Sequence, residues 1–249
     1  MAKLKSFIKL EGTLDGLTFY KSKDGYLVKT KGGVSKSRIM NDPAFERTRE
    51  NLSEFGLNAT TGKLIRQSIG PMLHKGKDSR LSSRMLKVMS SLKNLDTVSI
   101  RGKRQAGLGL QSPAGKELLK GFNFNNEAHL DRVLQTSYTL DTTTGILAIL
   151  NLNPLEQLDF PEGTSHVRFS NSVTKLDFET NTFQYAYSES LIFPISNSVE
   201  NVQLTPSEVP VMEGVQFHLL LIEFLQEVNS EFYPLFNGDY NVLTIIDVI

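Results

Sequence analysis

From residue 122 onward, apolar and polar positions alternate in short runs, the period of strands that bury one face. Such runs occupy 133–134, 137–140, 146–150, 166–169, 174–178, 183–187, 191–195, 202–204, 215–228 and 240–248. Gly, Asn, Asp, Ser and Thr punctuate them, a pattern that predicts an antiparallel β-sandwich. Asn237-Gly238-Asp239 reads as the last hairpin turn. The apolar run 242–249 reads as a structural strand whose removal would damage the core.

Ahead of residue 121 the periodicity differs. Residues 7–10, 17–20 and 26–30 are strand-like, and Lys23-Asp24-Gly25 marks a hairpin because Gly accepts the positive φ of a tight turn. Asn41-Asp42-Pro43-Ala44-Phe45-Glu46 then supplies a capping side chain, a Pro at the first helical position and an acid in the first turn. Phe45, Thr48, Leu52, Phe55, Ala59, Gly62, Ile65 and Ile69 recur at steps of three and four, predicting one inward stripe with Arg47, Arg49, Lys63 and Arg66 off it. Gly70-Pro71 breaks this helix. A second helix is predicted over 79–95, with Leu81, Met85, Val88, Leu92 and Leu95 inward, and Ser112-Pro113 opens a short helical turn through 119. The fold class is therefore α+β: an N-terminal β-hairpin and helices packed with a C-terminal antiparallel β-sandwich.

Charge sharpens this division. The 249 residues carry 27 Lys and Arg against 27 Asp and Glu, yet residues 1–120 hold 24 of the basic and 10 of the acidic residues. Thirteen of the 18 Gly fall in the same stretch, and 11 of the 15 Phe fall after it. A boundary near Gly121 is expected, between a basic hairpin-plus-helical part (1–120) and an acidic β part (121–249). Such segregation favours either mutual packing of the two parts or a basic surface that meets an acidic partner.

Catalytic chemistry finds little footing. With no Cys there is no disulfide, thiolate metal site or Cys nucleophile. His74, His129, His166 and His218 lack ligand spacing, and His218 sits in an apolar strand where a core role is expected. Asp177 and Glu179 echo the paired acids of glycosidases, but in an acidic part they read as a solvated face. No G-x-S-x-G elbow occurs, and Gly107, Gly109 and Gly115 in and after the basic loop 101–107 do not match a phosphate-binding fingerprint. A connector is expected there. No enzyme activity, cofactor, metal or small-molecule substrate is expected. Basic residues beside Phe19, Tyr20 and Tyr26 keep a nucleic-acid contact as an alternative, although a neutral chain with an acidic half argues against it. The longest apolar stretch, 215–225, is interrupted by Gln216, His218 and Glu223 and is too short to span a membrane. Residues 1–9 are basic without an apolar signal region, which by itself points to the cytoplasm.

One segment carries a resemblance. Gly33-Val34-Ser35-Lys36-Ser37-Arg38-Ile39-Met40-Asn41-Asp42-Pro43-Ala44-Phe45-Glu46-Arg47-Thr48-Arg49-Glu50-Asn51, with Glu54-Phe55-Gly56, resembles a mostly uncharacterised family of Bacteroidota proteins. In that family a Gly-rich hairpin precedes the segment and a β-rich half follows, so the likeness spans nearly the whole chain. It extends to the soluble plug family of the type 9 secretion translocon. The resemblance implies a non-enzymatic protein at the periplasmic face of the outer membrane, partnered by a very large barrel and not itself inserted in the membrane. It transfers no ligand or catalytic residue. From their charge and position, Arg38, Arg47, Arg49 and Lys63 are expected to face a partner, with Lys103 and Arg104 as secondary candidates. The alternative is a cytoplasmic nucleic-acid-associated or phage-like structural protein.

Overall fold

A computed structural model of the chain describes residues 2–3, 9–30 and 32–249. Helices and antiparallel sheets are both present, as an α+β reading requires. The chain divides into two compact units, one reaching to Glu50 and one spanning Asn51–Ile249. The compositional boundary near Gly121 falls inside the second unit, where it marks a change from helix to strand and from basic to acidic rather than a gap in the core.

In the first unit, β1 (Ala2–Lys3), β2 (Gly12–Leu14), β3 (Leu17–Ser22) and β4 (Gly25–Thr30) form an antiparallel sheet in the order β1-β4-β3-β2. The expected hairpin is there, with Ser22 paired to Gly25 across Lys23-Asp24. Phe7 and Ile8 of the expected first strand lie outside the described residues. Helix α1 (Lys36–Asn41) starts at Ser35, whose side chain accepts the Arg38 N–H. Asp42 then caps a 3-10 turn, Pro43–Phe45, that leads into α2 (Glu46–Ser68). No residue described between 9 and 50 is buried.

The second unit is built on two long strands. Strand β7 (His166–Asp177) pairs with β11 (Val215–Val228) along eleven register positions, including Phe169 with Ile222 and Arg168 with Glu223. Each long strand carries two short strands end to end on its outer edge. On β7 these are β8 (Thr182–Tyr187) and β9 (Leu191–Pro194); on β11 they are β12 (Glu231–Pro234) and β13 (Val242–Val248). The β11–β12 hairpin turns at Asn229 and Ser230, both at positive φ. The turn expected at Asn237-Gly238-Asp239 is not a hairpin. Residues Leu235–Gly238 form a 3-10 turn joining β12 to β13, which both pair with β11 and not with each other.

Burial on both faces explains why β11 reads as a nearly unbroken apolar run. Phe217, Leu219 and Leu221 face one apolar cluster, and Leu220, Ile222 and Phe224 face another. The first is closed by helices: α2, α3 (Pro71–Lys75), α4 (Leu81–Leu92), α5 (Ala106–Leu110) and α6 (Pro113–Leu119). The second is closed by a small sheet of β5 (Thr139–Leu140), β6 (Leu147–Leu152) and β10 (Glu200–Leu204), in the order β10-β6-β5, through Leu147, Ile149, Val202 and Leu204. Facing sheets of this kind were expected, but the helices on the other side make the second unit three-layered. A register shift between His218 and Leu219 passes over Ile246, so Val248 joins the helix-side cluster while Ile246 stays with the other. Of residues 133–134, expected as a strand, Val133 belongs instead to a helical turn, α7 (Leu130–Val133), which gives Leu130 and Val133 to the second cluster, while Leu134 is extended and forms a single antiparallel bridge with Leu158. One further turn, α8 (Pro154–Gln157), is capped by Asn153.

Of the two long helices, one follows its expected stripe and the other departs from it. On α4 the inward residues are Leu81, Met85, Met89 and Leu92, close to expectation. On α2 the buried positions are Glu54, Asn58, Gly62, Leu64, Ile65 and Ser68, whereas Leu52 and Phe55 are exposed. The helix is turned so that a carboxylate and an amide lie inside where two apolar side chains were expected.

Candidate partner-binding surface

Six cations were expected at a partner, and the structure separates them by what their heads already do. In the first unit, Arg38 Nε lies 3.2 Å from Asp42 Oδ2 and its guanidinium covers the Phe45 ring. Arg47 Nη1 lies 2.9 Å from Glu50 Oε2. Both arginines stay mostly exposed, and such surface pairs add little to stability. Arg49 differs. Its Nη1 donates to the Ile39 carbonyl at 2.8 Å and the Asp42 carbonyl at 2.9 Å, closing the C-terminal end of α1. Arg49 is thus a clamp inside its own unit.

In the second unit, Lys63 on α2 and Lys103 are exposed. Arg104 is turned inward and grips Glu54, with Nε to Oε1 at 2.7 Å and Nη2 to Oε2 at 3.0 Å. Lys93 Nζ reaches the same carboxylate at 2.6 Å, and the Gly102 N–H donates to it at 2.9 Å. These bonds, the one from Arg104 foremost, hold Glu54 well below the usual carboxylate range, at about 2. The basic loop 101–107 therefore wraps a buried anion from α2. It is neither a phosphate cradle nor a loose connector. One helical turn on, Asn58 is fully buried with neither side-chain polar atom hydrogen-bonded.

The glycines that follow the loop, in α5 and α6, have a packing role. A Cβ at Gly109 would sit 1.9 Å from the Leu92 carbonyl oxygen, and one at Gly115 would sit 2.1 Å from the Gly109 oxygen. Close approach of α4, α5 and α6 requires these residues to be Gly.

The histidines do not converge. His74 and His129 are exposed, and His129 Nδ1 lies 3.4 Å from Asn123 Nδ2. His218 is buried as expected, which lowers its pKa and keeps it neutral. Its Nε2 lies 2.8 Å from Gln216 Nε2, and its Nδ1 has no hydrogen-bond partner. His166 comes nearest to a reactive grouping, with Nδ1 2.9 Å from Ser165 Oγ and Nε2 3.7 Å from Glu227 Oε2. That hydroxyl also accepts the Glu227 N–H at 2.7 Å, so it serves the β11 ladder rather than pointing at a ligand. Asp177 caps the β7–β8 turn, accepting from Thr180 Oγ1 at 2.6 Å and Glu179 N at 2.8 Å, which lowers its pKa. Asp177 and Glu179 thus share one turn and are not set across a cleft as a pair. Among the described residues no three His, Asp or Glu are grouped to hold a metal ion, and no helix is long and apolar enough to cross a membrane.

Two clefts border charged side chains. One of 590 Å³ is edged by the Arg132–Asp159 pair together with Lys77, Asp239 and Tyr240. A smaller groove of 440 Å³ lies where α2 meets α3 and is bordered by Lys63, Arg66 and His74. Of these three, only Lys63 was singled out from the sequence as partner-facing. The Gly70-Pro71 break was the available signal for a groove, because a helix that stops and turns leaves a concave corner. Comparison of the chain with protein-family models, with curated proteins and with solved structures finds no match.

Proposed function

We propose that this is a non-enzymatic binding and blocking protein that docks a polarised exterior onto a partner and releases it again. The partner in this reading is the large outer-membrane barrel of the type 9 secretion translocon, whose periplasmic mouth the protein closes when no substrate is engaged. The observation that carries the reading is the charge arrangement: 24 of 27 basic residues precede Gly121, 17 of 27 acidic residues follow, and Arg38, Arg47, Lys63 and Lys103 are exposed. Charge complementarity of this kind orients a docking body and rejects wrong surfaces. Release requires the two states of the pore to bind the protein with different affinity. A second unit with apolar clusters on both faces of one sheet supplies the rigid body that a seal needs.

Affinity purification of the barrel from native cells tests this. Co-recovery of the protein is expected, along with its loss on charge reversal of Arg38, Arg47, Lys63 and Lys103. Absence from the purified translocon in every growth state overturns the reading. A second reading, a cytoplasmic nucleic-acid-associated or phage-like structural protein, is supported by one observation. Lys9 and Lys29 lie 5.2 and 5.5 Å over the rings of Tyr26 and Tyr20, a basic sheet with stacking rings. A salt titration against DNA and RNA decides it, since no affinity at low salt removes any counterion-driven contact.

A further inference from the structure

The corner between α2 and α3 is held open by a specific construction. Gly70 takes φ 59° and ψ −133°, and a Cβ there would lie 2.6 Å from Tyr187 Oη. That hydroxyl donates to the Ile69 carbonyl at 3.0 Å, fastening the end of α2 to the edge strand β8. Tyr185, 44% exposed, lies beside the same corner with its ring 3.8 Å from the position of that Cβ. The 440 Å³ groove so formed has Gly70, Pro71 and Leu73 in its wall and Lys63, Arg66 and His74 around it, with no carboxylate in its lining. Arg66 is half-buried, and burial is the one cause of its lowered pKa, so no anion offsets the desolvation of its guanidinium.

A ledge leads to this groove. Leu52 and Phe55 are 55% and 54% exposed, and with Ala59 they follow the i, i+3, i+7 spacing of one helix side. The spacing continues through Lys63 and Arg66, on the flank of α2 beside the buried side of Glu54, Asn58 and Ile65, with buried Gly62 at the edge of the strip. From Leu52 to Arg66 the rise is about 21 Å, or four helical turns. Apolar at one end and cationic at the other, the strip demands a partner that is apolar and anionic in the same order.

We propose that this strip binds an acidic amphipathic segment of a partner protein. Apolar side chains of the segment lie on Leu52, Phe55 and the groove wall, and its carboxylates meet Lys63, Arg66 and His74. The proposal rests on the reading of the chain as a binding protein and names the chemistry of one contact; it does not require the translocon barrel. Helix-in-groove docking of this form relies on apolar anchors for affinity and on charge for orientation.

The test is fluorescence polarisation of the full chain with a labelled peptide of about 14 residues, long enough to cover the strip as a helix, built of Glu with Leu and Phe on one helical face. Binding that weakens as salt rises is expected. A peptide with Lys in place of Glu is expected not to bind. The double variant Lys63→Glu, Arg66→Gln should weaken binding at least about tenfold, and Phe55→Ala several-fold. Circular dichroism checks that these variants stay folded. No binding of the acidic peptide, equal binding of the Lys peptide, or unchanged affinity in the double variant each overturns the proposal. Displacement of the peptide by oligothymidylate at lower concentration than unlabelled peptide does so too, in favour of a nucleic acid. If the double variant still co-purifies with the translocon but has lost the peptide, the groove is real and is not the translocon contact. If it keeps the peptide at full affinity, this proposal falls while the blocking function stands.

Discussion

Between residues 9 and 50 no described side chain is buried, whereas after residue 51 two apolar clusters lie on opposite faces of one sheet. The first unit is held by hairpin ladders, by caps at Ser35 and Asp42, by lysines over tyrosine rings and by the Arg49 clamp. The second is held by apolar burial. Polar contacts each contribute little net free energy, so a small sheet without a buried face is marginal and opens easily. Order in the two regions thus has different physical sources, which substitutions can separate.

The largest effect is expected in the second unit. Phe224→Ala, at a side chain 1% exposed, should cost about 3–5 kcal/mol in urea unfolding. Phe19→Ala in the first unit should leave the same midpoint in place, and a comparable loss there would break the contrast. Next comes the buried carboxylate. Glu54→Gln should cost about 2 kcal/mol, because Arg104 and Lys93 lose the anion they surround. Its titration gives a second reading of the same contact. With the native pKa depressed from 4.5 to about 2, Glu54 contributes its full stability above pH 4.5 and loses it as pH falls towards 2. Acid unfolding of the Gln variant should lack that component.

Asn58→Leu should go the other way, raising stability by about 1 kcal/mol, since it removes two buried polar atoms without partners. The smallest effects are expected in the first unit. Arg49→Ala should speed amide exchange in α1 without moving the global midpoint, and Arg47→Ala should change neither.

Elements whose pattern is local were legible from the sequence. The β3–β4 hairpin, the α4 stripe and the long apolar strand β11 all sit where periodicity puts them. The outward turn of α2 was not legible. A helical repeat shows that a stripe exists, but Glu54 is turned inward by Lys93, Gly102 and Arg104, some 40 to 50 residues away in sequence. Charge alone could not separate Lys103, which faces solvent, from Arg104 next to it, which faces Glu54. The same holds for Arg47 and Arg49, two residues apart, one in a surface pair and the other a clamp. At the groove, Lys63 was picked out as a cation on an exposed face. Arg66 and His74 join it only through the α2–α3 corner, a tertiary feature with no local code.

The pairing of β7 with β11 joins residues 166–176 to residues 215–225, and β13 then seals the far side. Contacts this distant in sequence carry a loop-closure penalty before they repay it, which slows folding. During synthesis the helices formed by residues 51–120 emerge from the ribosome long before the strands that cover them. Until β11 and β13 follow, the apolar sides of α4 and α5 have no sheet to rest on, and that interval is when a nascent chain of this protein would most need a chaperone.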